Sequence, residues 1–205
     1  MKKNKISKNW LHQQKKDIFF KKSKIQGYRS RSAFKLIELN KKFKFLRKKI
    51  SLLDLGSSPG GWSQVAAKEI VSGKILSIDL KYMEKINNVD FIQGNFCEKE
   101  NLAKVIAYFK NKVDVVLSDM AENTTGNKNL DSFRTGELCL NALDLAKKIL
   151  KKDGVFLSKI FMGSLFIDIK KRAEENFNKV VKYKPLSSKK ESKEIYIYCK
   201  GCKNN

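Results

Sequence analysis

Short apolar runs alternate along the chain with longer stretches of helical periodicity. Residues 52–55, 74–80, 89–96, 113–120 and 154–161 read as strands, several of them apolar almost throughout, as strands covered on both faces are. Helical spacing is predicted over 29–40, from Trp62 onward, over 98–110, over 132–150 and over 164–176. In the first of these Ala33, Leu36 and Ile37 share one face, and Ser30 or Ser32 can cap it. In the 132–150 segment Leu138, Ala142, Leu145 and Ile149 form one face. Residues 180–183 and 194–199 read as a closing antiparallel pair joined by a polar loop at 184–193. Strand and helix in alternation predict an α/β fold, a doubly wound, mostly parallel seven-stranded sheet with one antiparallel closing strand. Ligands of such sheets bind beyond the carboxyl ends of the strands. Gly60, Asp79, Asn95 and Asp119 all fall at such ends.

The 205 residues suffice for one domain, and no run approaches the roughly 20 apolar residues of a membrane span. The first 27 residues are basic and polar, with Trp10, Phe19 and Phe20 interleaved. They read as an arm preceding a single domain over 28–205, either solvated or binding RNA through lysine on phosphate and aromatic stacking. No apolar leader is apparent, which points to the cytoplasm. The formal charge of +23 points to a polyanionic partner, nucleic acid before an acidic membrane surface. A composition rich in Lys, Asn and Ile accounts for part of that excess without functional demand.

The cysteines at 97, 139, 199 and 202 include one CxxC, Cys199–Cys202, with no second pair, and the single histidine, His12, lies in the basic arm. A structural zinc takes four ligands, so no metal site is expected.

The chemistry gathers at Leu52 to Gln64, where an apolar strand runs into Gly56-Ser57-Ser58-Pro59-Gly60-Gly61 and a helix starts at Trp62. Glycines let backbone approach a ligand, and the helix N-terminus offers free N–H groups. Asp79 stands nineteen residues after Gly60, at the end of the next strand, where an acid can grip ribose hydroxyls. A nucleoside cofactor is implied, either NAD or S-adenosylmethionine. The GxGxxG of NAD sites is absent, and a pocket lined by acids suits a sulfonium cation. Lys159 inside an apolar strand is unusual, because lysine is rarely buried unpaired.

These segments resemble the FtsJ/RrmJ family of S-adenosylmethionine-dependent RNA 2′-O-methyltransferases. The resemblance is carried by Asp54 to Gln64 (DLGSSPGGWSQ), Tyr28 to Leu36 (YRSRSAFKL), Ser118 to Asn123 (SDMAEN), Lys159 to Gly163 (KIFMG) and Pro185 to Tyr196 (PLSSKKESKEIY), in order from about residue 27 to 201. It implies a Rossmann-like class I methyltransferase, monomeric, with S-adenosyl-L-methionine as cofactor. The implied acceptor is a uridine ribose of large-subunit ribosomal RNA, within the ribosomal subunit. A transfer-RNA or cap methyltransferase, or a non-catalytic RNA-binding assembly factor, remains open on the same scaffold.

The family tetrad falls on Lys35, Asp119, Lys159 and Glu194, and the cofactor contacts on Gly60, Trp62, Asp79, Asn95 and Asp119. A ribose 2′-OH is a poor nucleophile until its proton is drawn away, and a buried lysine beside another cation suits that task. Three positions depart from the family pattern. Asn95 replaces Asp, giving a neutral acceptor for an adenine amino group; Glu122 replaces Pro; and Lys189 replaces Arg, losing a bidentate phosphate fork.

Overall fold

The computed structural model describes residues 17–110, 112–121 and 125–203. Trp10, His12 and Glu122 lie outside them. Part of the basic segment is helical. α1 (Ile18–Ile25) is capped by Asp17, whose Oδ1 accepts from the backbone N–H of Phe19 and Phe20 at 3.0 and 3.1 Å. Phe19 packs on Phe34 with ring centroids 5.6 Å apart, so α1 rests on α2 (Ala33–Phe43). Ser32 stands at the start of α2 but caps no amide. Its hydroxyl hydrogen-bonds that of Ser30 at 2.6 Å instead.

The rest alternates as the apolar pattern predicts: β1 (Leu52–Leu55), α3 (Gly61–Glu69), β2 (Ile75–Asp79), β3 (Asp90–Gln93), α4 (Lys99–Phe109), β4 (Val113–Ser118), α5 (Lys128–Ile149), β5 (Leu150–Phe161), α6 (Phe166–Asn176), β6 (Phe177–Tyr183) and β7 (Glu194–Cys202). These strands form one seven-stranded sheet in the order β3-β2-β1-β4-β5-β7-β6. Only β7 runs antiparallel, to both of its neighbours. Several boundaries move outward from those the sequence predicts, among them the starts of α5 and β5. α5 begins at Lys128, where Asn127 caps it. β5 begins at Leu150, which pairs with Val113 ahead of a register shift, so the exposed Lys151–Asp153 stretch belongs to the strand.

Two apolar layers cover the sheet, and strand alternation sorts residues between them. Leu53 and Leu55 of β1, Val116 of β4, Phe156 and Ile160 of β5, and Ile197 and Cys199 of β7 pack against α4, α5 and α6. Leu52, Val115, Leu117, Val155, Leu157, Tyr196 and Tyr198 face α2 and α3. Phe43 of α2 stacks flat on Tyr198, with centroids 4.1 Å apart. Cys139, Cys199 and Cys202 are buried free thiols in the first layer. Among the described residues no group of three His, Cys, Asp and Glu is disposed to hold a metal, and no helix is long and apolar enough to cross a membrane.

Candidate active site

Register explains how residues far apart in sequence meet. In the parallel pair β4 and β5, Ser118 aligns with Ser158, so Asp119 and Lys159 follow side by side at the carboxyl edge. In the antiparallel pair β5 and β7, Lys159 faces Tyr196 and Phe161 faces Glu194. Because β7 runs backwards, its first residues arrive at the edge where the parallel strands end. Period-two alternation then puts Lys159, Tyr196 and Glu194 on the layer that faces α2, which supplies Lys35.

The structure therefore brings the four expected residues together as two nearly buried ion pairs. Lys159 Nζ lies 3.1 Å from Asp119 Oδ1 and donates to the Asp119 carbonyl at 2.8 Å. Lys35 Nζ lies 2.7 Å from Glu194 Oε1. Tyr196, which the sequence reading passed over, joins the pairs. Its hydroxyl donates to Asp119 Oδ1 at 2.9 Å, and Lys35 Nζ sits 5.9 Å from its ring centroid. Burial would push the Asp119 carboxyl up, but the Lys159 and Lys35 charges and the Tyr196 and Lys159 hydrogen bonds overcome that and hold it below the usual carboxylate range. Burial, and then the Asp119 charge, push the Tyr196 phenol well above its ordinary value, so it remains a donor. The signal for Tyr196 was present in the sequence: in Glu194-Ile195-Tyr196 the residue two places from a candidate acid lies on the same face.

Beside this cluster, β1 opens into the glycine loop. Gly56 has φ +72°, and a Cβ there would run into the Met120 side chain just after Asp119. Gly60 has φ +110°, and a Cβ there would come within 2.8 Å of Ile86. Asp79 holds the loop: its Oδ2 accepts from Ser58 N–H at 2.9 Å and its Oδ1 from Lys81 N–H at 2.7 Å. Each oxygen keeps a second lone pair. Asn95 is half-buried, with its Oδ1 accepting from Cys97 N–H at 3.0 Å. Trp62, expected among the cofactor contacts, has its ring in the core, where it packs on Tyr196 and donates its indole N–H to Ser32 O at 2.9 Å. What it can offer a ligand is its backbone in the first turn of α3.

Two further residues around the loop were not singled out in the sequence. Arg29 ties the loop to the segment after β2, donating to Pro59 O at 3.2 Å, Glu84 O at 2.7 Å and Lys85 O at 2.9 Å. Asp54, at the end of β1, is 1% exposed, and its Oδ2 accepts from Ser63 Oγ at 2.7 Å. Its Oδ1 has no hydrogen-bond partner among the described residues. Burial first, and then the charges of Asp119 and Asp79, raise the Asp54 carboxyl to about 7 against the opposing Ser63 hydrogen bond. A glycine loop ringed by Asp54, Asp79 and Asp119 fits a nucleoside cofactor that carries positive charge. Asp79 keeps a free lone pair on each oxygen at the end of β2, and the orphaned Asp54 oxygen leaves an acceptor in an anionic setting.

A doubly wound sheet with a cation-seeking nucleoside pocket at its carboxyl edge and a lysine–carboxylate cluster beside it defines a class I S-adenosylmethionine-dependent methyltransferase. Residues 28–202 match the FtsJ-like methyltransferase family, and the chain belongs to that family. It is 52% identical over 200 residues to a Pelagibacter ubique protein named Ribosomal RNA large subunit methyltransferase E, with 98% of each chain covered. It is also similar to a crystal structure described as a ribosomal RNA methyltransferase from Plasmodium falciparum, at TM-score 0.76 and 35% identity, covering 85% of this chain and 98% of that one. A Streptococcus mutans methyltransferase solved with SAH shares the fold at TM-score 0.55 and 15% identity, covering 80% of this chain and 96% of that one.

Proposed function

We propose that the protein transfers a methyl group from S-adenosylmethionine to the ribose 2′-OH of a uridine in large-subunit ribosomal RNA. The observation that carries this reading is the pair of lysine–carboxylate contacts, Lys159–Asp119 and Lys35–Glu194, bridged by Tyr196 beside the acid-ringed loop. The name carried by the Pelagibacter relative supports the choice of RNA. When bound, the cofactor supplies a methyl group on a sulfonium that an oxygen nucleophile can attack.

The chain's own residues do the rest. Lys159 is the group placed to take the 2′-OH proton as the new O–C bond forms, which it can do only after giving up its own, and the Asp119 carboxylate and carbonyl fix its amine. Lys35, held by Glu194, places a second cation next to the acceptor oxygen. Tyr196 locks the orientation of Asp119. Methyl transfer needs donor and acceptor in line, so this interlocked geometry contributes by positioning. Buried ion pairs are costly to fold, and a scaffold that only bound RNA would have no use for two of them at a cofactor loop. That favours an enzyme over a non-catalytic assembly factor.

The protein is read as a cytoplasmic monomer, with residues 28–205 as the catalytic domain and the basic segment 1–27 adding electrostatic attraction to RNA. The test is methyl transfer from labelled cofactor to free ribosomal RNA, isolated large subunits and transfer RNA, followed by mapping of the modified ribose. Incorporation at one uridine 2′-oxygen of large-subunit RNA is expected. Incorporation confined to transfer RNA, or none in any substrate, overturns the reading.

Asn95 makes a second expectation specific. A charged acceptor bonds an amino group roughly twice as strongly as a neutral one. Asn95→Asp is expected to tighten cofactor binding about threefold to tenfold by calorimetry, since charged hydrogen bonds exceed neutral ones by about 1 kcal/mol. Unchanged or weaker binding removes position 95 from the cofactor contacts.

A further inference from the structure

A small cavity adjoins the tetrad at Lys35 and Glu194. It holds about 170 Å³ and is lined by Arg31, Lys35, Lys189, Ser192 and Glu194. That is well below the several hundred Å³ of a typical small-ligand pocket, too small for a nucleobase with its ribose. Its charges do not cancel. Lys35 is paired with Glu194, and Arg31 with Asp17, so each of those pairs is close to neutral. Lys189 forms no ion pair among the described residues, and its side chain is exposed. One positive charge is left over. Ser192 Oγ accepts from Glu194 N–H at 3.2 Å, which leaves its own proton to donate. Arg31 Nε is a buried donor without a partner among the described residues.

The walls of this cavity are braced. Arg31 Nη1 holds Asp17, and its Nη2 holds Ser187 O. Glu38 of α2 accepts from Leu186 N–H at 2.7 Å, from Ser187 N–H and Oγ at 3.1 Å each, and from Tyr183 OH at 3.0 Å. Lys184 Nζ donates to Ser192 O at 2.6 Å. The 184–193 loop is thereby fastened to the helix that carries Lys35, and donors on the two elements keep fixed spacing.

We propose that this cavity is the subsite for a single phosphodiester of the RNA, the one adjoining the ribose that is methylated. The inference rests on the RNA-methyltransferase reading above. One surplus cation with neighbouring hydroxyl and guanidinium donors matches the single charge of a phosphodiester better than the near-double charge of a phosphomonoester. Lys35 and Glu194 belong to both the cavity and the tetrad, so a phosphate held here sits within one nucleotide of the reacting hydroxyl. Lys189 supplies the charge, Ser192 a hydrogen bond, and the Arg31 clasp the rigidity.

The test measures RNA affinity and methyl transfer for the wild type, Lys189→Gln, Lys189→Arg and, as a control on α4, Lys104→Gln. The RNA carries one uncharged methylphosphonate linkage at a time. Lys189→Gln is expected to weaken RNA binding about tenfold and to reduce the slope of log affinity against log salt by about 0.7, the share of one single-strand phosphate. Lys189→Arg restores both, and Lys104→Gln changes neither. One neutral linkage weakens the wild type by a similar factor and Lys189→Gln no further, because charge and partner are lost together. The proposal is overturned if Lys189→Gln behaves like the control, or if every neutral linkage acts alike on the wild type and on Lys189→Gln. It is also overturned if only inorganic phosphate, and no linkage, couples to Lys189. Wild-type protein that binds RNA without methylating it would remove the catalytic reading, while the coupling in binding still decides the subsite.

Discussion

Lys159→Ala lowers methyl transfer by about 10²- to 10⁴-fold, the usual worth of a positioned acid–base group, and leaves cofactor affinity within a few-fold of the wild type. The lysine meets the carboxylate and carbonyl of Asp119 from within β5 and lies outside the glycine loop. Its loss therefore strips the acceptor oxygen of its proton partner without touching the donors around Gly60 and Asp79. The side chains of Lys159 and Asp119 are 9% and 15% exposed, so breaking the pair also costs stability, about 3 kcal/mol for a nearly buried one. Asp119 keeps the Tyr196 hydrogen bond and the nearby Lys35 charge, which moderates that loss. Assays belong well below the variant's melting temperature. Lys159→Arg separates charge from proton uptake: a guanidinium keeps the positive charge opposite Asp119 but cannot give up its proton. It is expected to recover stability and to remain nearly inactive. Wild-type-like turnover in either variant would sink the assignment, and single-turnover assays at saturating cofactor decide it.

How far the sequence disclosed this site follows from the distance over which each signal acts. The strand pattern and the glycine turn are local, so the sheet and the loop were legible. Glu194 could be matched to a motif. That it meets Lys35 of α2 depends on β7 running backwards beside β5, which periodicity does not encode. Trp62 shows the converse. Its place in the motif suggested a cofactor contact, but a large ring beside Tyr196 and α2 is more favourably buried, so the side chain went to the core. The roles of Arg29, Arg31 and Glu38 were hidden because each bonds in part to backbone far along the chain, and a carbonyl or amide leaves no mark in side-chain composition. The basic segment was read by its charge and its interleaved aromatics, as an arm. Helix α1 forms there because Asp17 caps it and Phe19 finds Phe34, two signals that a run of lysines obscures.

The same distinction between local chemistry and assembled surroundings governs Asp54. In sequence it is the acid that begins the glycine motif. In the fold it is a carboxyl raised from 3.8 to about 7 by burial and by the charges of Asp119 and Asp79. Because the folded value lies above the unfolded one, the stability it contributes is fully present below pH 3.8 and is lost as pH rises through 7. A shift of about 3 units corresponds to about 4 kcal/mol between those limits. Asp54→Asn removes the titrating group and keeps its shape, so without cofactor the variant is expected to gain on the wild type as pH rises from 5 to 8. Thermal melts of both proteins across that range read the difference directly, and parallel melting profiles would show that Asp54 does not titrate there. Adding cofactor reverses the comparison. A cation bound beside Asp54 stabilises its charged form, so S-adenosylmethionine should raise the wild-type melting temperature most near pH 8 and raise that of Asp54→Asn less. A buried acid that weakens the empty protein at neutral pH and favours the loaded one is what a pocket for a positively charged donor requires.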